Sequence, residues 1–270
     1  MNSLKDRNKV DAVILDLDGT LLNSDKKVSK RNLDSIIEIH KLGIPIIIAT
    51  ARPPRTVKEL IPKELQEIAI IVFYNGALII NSPLQINEHY SIDSTINKQI
   101  IEYLISNEPE HLFSIEVNDT WYSYEEIDYR SFMKVSNNPE IIDIVEMKLK
   151  SPTKILVTHL KNIDDFTKKF SDKVNVINTD SNQLTQIMRL GISKESAIAE
   201  LAEKLNISLE KTMVFGDDFN DLGLFKLCGI PIAMENSIDE LKEIAKNNTT
   251  SNDEDGVANI LEKLLNSHEN

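Results

Sequence analysis

Three observations predict an α/β protein built as a parallel-sheet core interrupted by an α+β module. Short, wholly apolar, β-branched runs alternate with amphipathic helical stretches near the start of the chain. The same rhythm returns after residue 187. Between them lies a stretch of different texture, with most of the aromatics and shorter alternating strands. Strands alternating with helices make parallel sheets covered on both faces, whereas mixed strand pairs and helices make a separate layer.

The elements follow in order. Residues 11–15 form a β-branched run ending in carboxylates, the pattern of a buried strand with polar chemistry at its end. Ser29 caps a helix to residue 42 with Leu33, Ile36, Ile37 and His40 on one face, and Gly43 stops it. Residues 44–49 form a second apolar strand, and Pro53-Pro54 opens the next helix. Residues 68–73 form a third strand, and Asn75-Gly76 is a turn before a short strand at 78–80. In the middle stretch, helices are expected at 93–106, 139–148 and 162–171, with strands at 113–117, 154–157 and 174–177. Ser193 then begins a helix to 205. Strands at 212–215 and 230–233 flank a helix at 222–227. Ser237 with Glu240 reads as a capping box for the following helix. A strand near Thr249 and a helix at 253–265 close the chain. The expected division is a core of residues 1–82 and 187–270 with an inserted domain at 83–186.

Composition narrows the function classes. Of 270 residues, 41% are hydrophobic, enough for a sizeable core. The chain carries 43 acidic against 30 basic side chains, a formal charge of −13, which argues against nucleic acid or an anionic membrane as partner. An anionic substrate therefore needs local positive charge at its site. Cys228 is the single cysteine, so an internal disulfide and a cysteine-built metal site are excluded. The first ten residues are polar, with no signal-peptide core, and no apolar run is long enough to span a bilayer. A soluble, cytoplasmic protein is expected; the sequence names no oligomeric partner.

Four clusters carry chemistry, each at the end of an expected core strand. Asp16-Leu17-Asp18-Gly19-Thr20 follows the first strand, and alternation in an extended segment sends both carboxylates to one side, where they share a cation and a substrate. Paired carboxylates repel, and a hard divalent cation such as magnesium resolves the repulsion. Acidic Asp-x-Asp-Gly turns are common on surface loops, but the position directly after an apolar strand weighs against that reading. Gly216-Asp217-Asp218-Phe219-Asn220-Asp221 is a second acidic cluster after a strand. A helix start accounts for Asp218, and less well for Asp217 and Asp221. Ala49-Thr50-Ala51-Arg52 offers a hydroxyl and backbone N–H groups suited to phosphate oxygens. Lys194 sits at a helix start, against the dipole, which makes a bound anion a candidate partner, although a lysine taken singly is by default an ordinary solvated one. In doubly wound folds such strand ends bind ligands.

These clusters, in this order, closely resemble the four motifs of the haloacid dehalogenase superfamily of phosphohydrolases. The resemblance implies a Rossmann-like core and, from the insertion of roughly a hundred residues, a class II cap. Asn75-Gly76-Ala77, Ala233-Met234-x-Asn236 and Ser251-Asn252-x-x-x-Gly256-Val257-Ala258 sharpen the match to the Cof-type, subclass IIB, sugar-phosphatase-like branch. The resemblance covers the core throughout and the cap only in length and rhythm. It implies that Asp16 attacks phosphorus to form an aspartyl-phosphate, and that Asp18 acts as general acid and then base. It implies Mg2+ held by Asp16, the Asp18 carbonyl and Asp217, with Asp221 ordering its waters. Leu17, Thr50, Ala51, Lys194 and Asn220 would hold the phosphate of a small phosphorylated metabolite.

There are departures from the pattern. Ala51 and Glu195 stand where the family has glycine, and Glu235 precedes Asn236 in place of glycine. Two other readings use the same residues: a phosphotransferase or mutase sharing the covalent intermediate, and a non-catalytic sensor of a phosphorylated ligand. Trp121 and Tyr122 are read as part of the inserted domain's own sheet or core. His40, His89, His111, His159 and His268 show no ligand spacing and are assigned no role.

Overall fold

A computed structural model describes residues 10–108, 112–126, 128–131, 137–179 and 184–268. The polar N-terminal segment, up to residue 9, and His111 lie outside these residues. The chain divides into two compact units, Met1–Asn87 with Ser193–Asn270, and Glu88–Ile192.

The first unit is built on the buried strands β1 (Ala12–Leu15), β2 (Ile46–Ala49), β3 (Ala69–Phe73), β12 (Thr212–Gly216) and β13 (Ile230–Ala233). With β4 (Leu78–Asn81), β5 (Ile86–His89) and β14 (Asn247–Asn248) they form an eight-stranded sheet in the order β14-β13-β12-β1-β2-β3-β4-β5. From β14 to β3 every pairing is parallel, and β4 runs antiparallel to β3. Strands of such a sheet are covered on both faces and need no alternation, which is why β1 and β2 read as continuous apolar runs. Ile14, Ile46, Ile48, Val214 and Phe215 are fully buried. Truncating a side chain like that of Ile14 to alanine typically costs about 2–5 kcal/mol.

Helices α1 (Lys30–Lys41), α2 (Pro54–Leu60), α3 (Lys63–Ile68), α7 (Lys194–Leu205), α8 (Leu222–Leu227), α9 (Asp239–Ile244) and α10 (Gly256–His268) complete this unit. On α1 the buried positions are Asn32, Ser35, Ile36 and Ile39. This corrects the stripe of Leu33, Ile36, Ile37 and His40. The stripe shifts because the Asn32 side chain accepts a hydrogen bond from the Ala258 N–H at 2.9 Å. Ser237 and Glu240 do not form a capping box. The N-cap of α9 is Ile238, whose N–H donates to the Asp217 carbonyl at 3.0 Å, and this long-range bond places the helix start one residue later.

The strand order puts β1 between the strands that follow it early in the chain and those that return late. The topology therefore reverses at β1 and β12, and such a reversal opens a crevice at the carboxyl ends of the strands.

The second unit has a six-stranded sheet in the order β10-β11-β9-β6-β7-β8. Its strands are β6 (Phe113–Val117), β7 (Thr120–Ser123), β8 (Glu140–Ile141), β9 (Lys154–Thr158), β10 (Val174–Thr179) and β11 (Leu184–Arg189). Helices α4 (Ser94–Asn107), α5 (Ile144–Leu149) and α6 (Ile163–Phe170) supply Ile100, Leu104, Met147 and Phe166 to a core shared with Phe113, Ile115, Ile155 and Ile187. The single helix expected at 139–148 is a short strand followed by α5. The Ile142 N–H bonds to the Ser123 carbonyl, continuing the sheet, and Asp143 caps α5 by accepting from the Val145 N–H. Trp121 lies in β7, donates to the Ser114 hydroxyl at 2.9 Å and packs on Tyr129. Among the described residues, no helix is long and apolar enough to cross a membrane.

Candidate active site

Adjacent strands β1 and β12 pair in register, Leu15 opposite Phe215, so the segments that follow them emerge side by side. The Asp16 N–H still donates to the Phe215 carbonyl at 3.1 Å, and the Thr50 N–H to the Val72 carbonyl at 2.9 Å. The next N–H groups, of Leu17 and Ala51, are the first past these bonds. The Leu17 side chain turns back into the core, and Asp16 is 5% exposed.

Gly19 makes the sharp turn beneath the site, with φ at +78°. A Cβ there would fall 2.1 Å from Asp217 Oδ2, so glycine is required both for the turn and for the close approach of Asp217. Thr20 donates from its hydroxyl to Asp217 Oδ1 at 2.8 Å. The Asn236 amide donates to the Gly19 carbonyl at 2.8 Å and accepts from the Asn252 N–H at 3.1 Å. The residues that the sequence offered only as branch markers thus brace the turn that carries Asp16 and Asp18.

Lys194 opens α7, where Ser193 and Ser196 form a reciprocal capping box. Its ammonium is wholly buried, 2.5 Å from Asp16 Oδ1 and 2.9 Å from Asp221 Oδ1. The turn after β3 locks this helix start in place. Gly76, at φ +108°, lies so close that a Cβ would meet the Ser193 carbonyl oxygen at 2.3 Å. Asp221 accepts from the N–H groups of Asp217 and Asp218 through its other oxygen, at 3.1 and 3.3 Å.

Carboxylate oxygens of Asp16, Asp217 and Asp221 lie within 4.8 Å of one another. Burial pushes Asp16 well above the ordinary carboxylate range; Lys194 pulls it down, and Asp221 and Asp217 add to the rise. Burial likewise lifts Asp217 to about 6, against the Thr20 hydrogen bond and with help from Asp221 and Asp218. For Lys194 burial works against the charge, but the attraction of Asp16 and Asp221 outweighs it and raises the group. Three carboxylates held close together, two of them on one ammonium, form a hard oxygen donor set that fits a divalent cation such as magnesium. No histidine belongs to this group.

Asp18 stands at the rim. Burial opposes its ionisation, but hydrogen bonds from Arg52 and Lys26 hold it below the usual carboxylate range. Arg52 forks onto both oxygens, and Lys26 reaches Oδ1 at 2.8 Å. The Thr50 hydroxyl is buried and accepts from the Arg52 N–H at 3.1 Å. The turn after β3 clasps this segment: the Tyr74 N–H donates to the Arg52 carbonyl and the Asn75 N–H to the Thr50 carbonyl. Asn220 reaches Asn75 Oδ1 at 3.4 Å.

Two of the three glycine replacements, Ala51 and Glu195, are accommodated. Ala51 is not among the positive-φ residues, so its methyl needs no strained backbone. The Glu195 carboxylate lies against Gly223, where a Cβ would meet its Cδ at 2.2 Å. Lys26 is a residue of the site that sequence reasoning passed over, while Thr20 entered only as part of the first motif and Asn75 as a turn and branch marker. Arg52 was visible only as the end of the Thr50 turn.

The sequence matches the profile of the haloacid dehalogenase-like hydrolases over residues 13–261. The 5-amino-6-(5-phospho-D-ribitylamino)uracil phosphatase YitU of Bacillus subtilis is 27% identical over 266 residues, covering 94% of this chain and 97% of its own. A second Bacillus subtilis protein of that description, YcsE, is 29% identical over 251 residues, covering 92% and 93%. A solved structure from Thermotoga maritima superposes with a TM-score of 0.83 at 26% identity, covering 94% of this chain and 97% of that one. A haloacid dehalogenase-like hydrolase from Bacteroides thetaiotaomicron gives 0.82 at 27%, covering 95% and 100%. With the match running through all four strand-end clusters, the chain belongs to the haloacid dehalogenase-like hydrolase family.

Proposed function

We propose that this hydrolase is a magnesium-dependent phosphatase acting on small phosphomonoesters, sugar phosphates or similar metabolites, through an aspartyl-phosphate on Asp16. The observation that carries the reading is the convergence of three carboxylates at the ends of two adjacent strands, two of them paired with one buried lysine. A merely structural cluster has little reason to bury this much like charge, because desolvation makes it costly. A site that must hold a cation and a phosphoryl group does.

In this reading an Asp16 oxygen attacks phosphorus in line, and the bond from phosphorus to the leaving oxygen breaks. Asp18 gives that oxygen its proton. As a carboxylate it then takes a proton from the water that attacks the phosphoryl group, so inorganic phosphate leaves and Asp16 is restored. Lys194, the Thr50 hydroxyl, the N–H groups of Leu17 and Ala51, and Asn220 hold the phosphoryl oxygens. Asp16, the Asp18 carbonyl and Asp217 would hold magnesium, with Asp221 ordering its waters, and the ion would supply positive charge against the phosphoryl oxygens. The inserted unit is taken as the cap and the source of substrate choice. A cytoplasmic setting fits the single cysteine. Two relatives described as phosphatases of a phosphorylated ribityl compound support the polyol- and sugar-phosphate class.

The test is phosphate release from a panel of phosphomonoesters with magnesium and with chelator. Magnesium-dependent turnover of sugar or polyol phosphates is expected. Tight binding of a panel member without turnover would reject hydrolysis in favour of a sensor. Transfer of the phosphoryl group to an added sugar rather than to water would favour a transferase.

A further inference from the structure

Asp18 is gripped by cations from two separate loops. Arg52 donates from Nε to Oδ2 and from Nη2 to Oδ1, the latter at 2.8 Å. Lys26 donates to the same Oδ1 at 2.8 Å. A carboxylate oxygen offers about two acceptor positions. Oδ1 is therefore filled, and Oδ2 keeps one position open.

The loop that delivers Lys26 is unusually well built for a surface turn. Asn23 and Lys27 exchange backbone and side-chain bonds, the Asn23 N–H donating to the Lys27 carbonyl at 3.0 Å and the Lys27 N–H to Asn23 Oδ1 at 2.9 Å. Ser24 is tied to Asp253 through both its N–H and its hydroxyl, at 2.7 and 2.6 Å. Asn252 donates to the Leu22 carbonyl at 2.8 Å. Within this frame Lys26 itself adopts φ +60°, a left-handed conformation that a lysine takes at a cost. Its side chain is 52% exposed, and a half-exposed ion pair adds little to stability. Stability does not account for a strained residue held by this many bonds; fixing the neighbouring carboxylate does.

We propose that Lys26 is a positioning residue for the reaction, fixing Asp18 together with Arg52 so that Oδ2 serves the leaving-group oxygen. The inference rests on the phosphatase reading above. The proton that Asp18 takes from water in the hydrolysis step is held on Oδ2 and given to the next leaving oxygen as its bond to phosphorus breaks and the bond to Asp16 forms. The Oδ2 hydroxyl can donate forward while still accepting from Arg52 Nε. Lys26 keeps the carboxyl group from rotating by occupying Oδ1.

The test separates leaving groups that need a proton from those that do not. kcat/KM is measured for Lys26→Met and Lys26→Arg on p-nitrophenyl phosphate, whose phenolate leaves unaided. The same is done for whichever of ribose 5-phosphate, glucose 6-phosphate and glycerol 3-phosphate wild type turns over fastest. For the alkyl ester, Lys26→Met is expected to lower kcat/KM about tenfold, part of the range that general acid catalysis supplies. The aryl ester should stay within about twofold, since kcat/KM reports only the steps through leaving-group departure. Lys26→Arg should restore the alkyl activity. Unchanged values for both esters would make Lys26 a solvated cation, and an equal fall for both would make it a phosphate ligand; either overturns the proposal. Wild type inert toward all of these esters with magnesium would remove the phosphatase reading itself, and this inference with it.

Discussion

Replacing Lys194 with methionine removes the positive charge in contact with two buried carboxylates. The ammonium is wholly buried and bonded to Asp16 at 2.5 Å and Asp221 at 2.9 Å. Methionine fills most of the volume, so the change is chiefly electrostatic. Breaking a buried pair by removing one partner costs about 3–5 kcal/mol, because a desolvated charge is left uncompensated. Here two are left, so the upper part of that range is expected. With a urea slope near the top of the ordinary range, about 3 kcal/mol/M, the unfolding midpoint should fall by about 1.3 to 1.7 M. The pH dependence follows from the direction of the shift. Lys194 is raised above its ordinary 10.5 in the folded chain, so its contribution is fully present below about 10.5 and is lost only as pH rises through the higher folded value. At pH 7 the whole loss is therefore seen. Acidification protonates the abandoned carboxylates in the variant, and the gap to wild type should narrow toward pH 5. The assay is urea unfolding of both proteins without magnesium at pH 7 and pH 5, with Lys194→Met/Asp221→Asn expected to recover roughly half the loss. A loss under about 1 kcal/mol at pH 7, the value of an exposed pair, would refute the reasoning. So would a gap that widens on acidification.

Two further outcomes follow from the site and the core. Asp217 is lifted to about 6, so below that pH a cation must displace its proton. In magnesium titrations followed calorimetrically, the apparent Kd should rise toward tenfold or more per pH unit as pH falls below about 6, the proton on the likewise raised Asp16 adding to the slope; constant affinity from pH 7 down to pH 5 would contradict this. Burial pushes the Cys228 thiol up to about 12, so it is both enclosed and un-ionised at neutral pH. A thiol-disulfide dye at pH 8 should label it only after denaturation, and rapid labelling of the native protein would show the burial to be wrong.

The strands of the core were legible because a parallel sheet covered on both faces demands uninterrupted apolar runs, and residues 12–15, 46–49 and 212–215 supply them. The strand-end placement of Asp16, Thr50 and Asp217 followed from those runs. Long-range bonds were not legible. Ser237 and Glu240 carry a local helix-start pattern, but the bond from Ile238 to the Asp217 carbonyl overrides it, and the Ser237 hydroxyl is buried with no partner among the described residues. Residues 139–148 have helical spacing, yet pairing of β8 with β7 draws the first part into the sheet. The grip on Asp18 joins Arg52 across 34 positions to a lysine eight positions away. No spacing rule connects a carboxylate to such partners, whereas the Asp16 and Asp18 pairing is local and alternates in plain view.

The measurement that most directly tests the central claim is covalent trapping of the phosphoryl-enzyme. Turnover of an aryl phosphate with magnesium is quenched in acid and reduced with borohydride, and the peptides are mapped by mass spectrometry. In parallel, phosphate release is measured for Asp16→Asn, which keeps the shape and removes the nucleophilic charge. The account predicts reduction of the Asp16 carboxyl to an alcohol only when substrate is present, and no magnesium-dependent turnover by the variant. Trapping at another carboxylate, or turnover by Asp16→Asn equal to wild type, would contradict it.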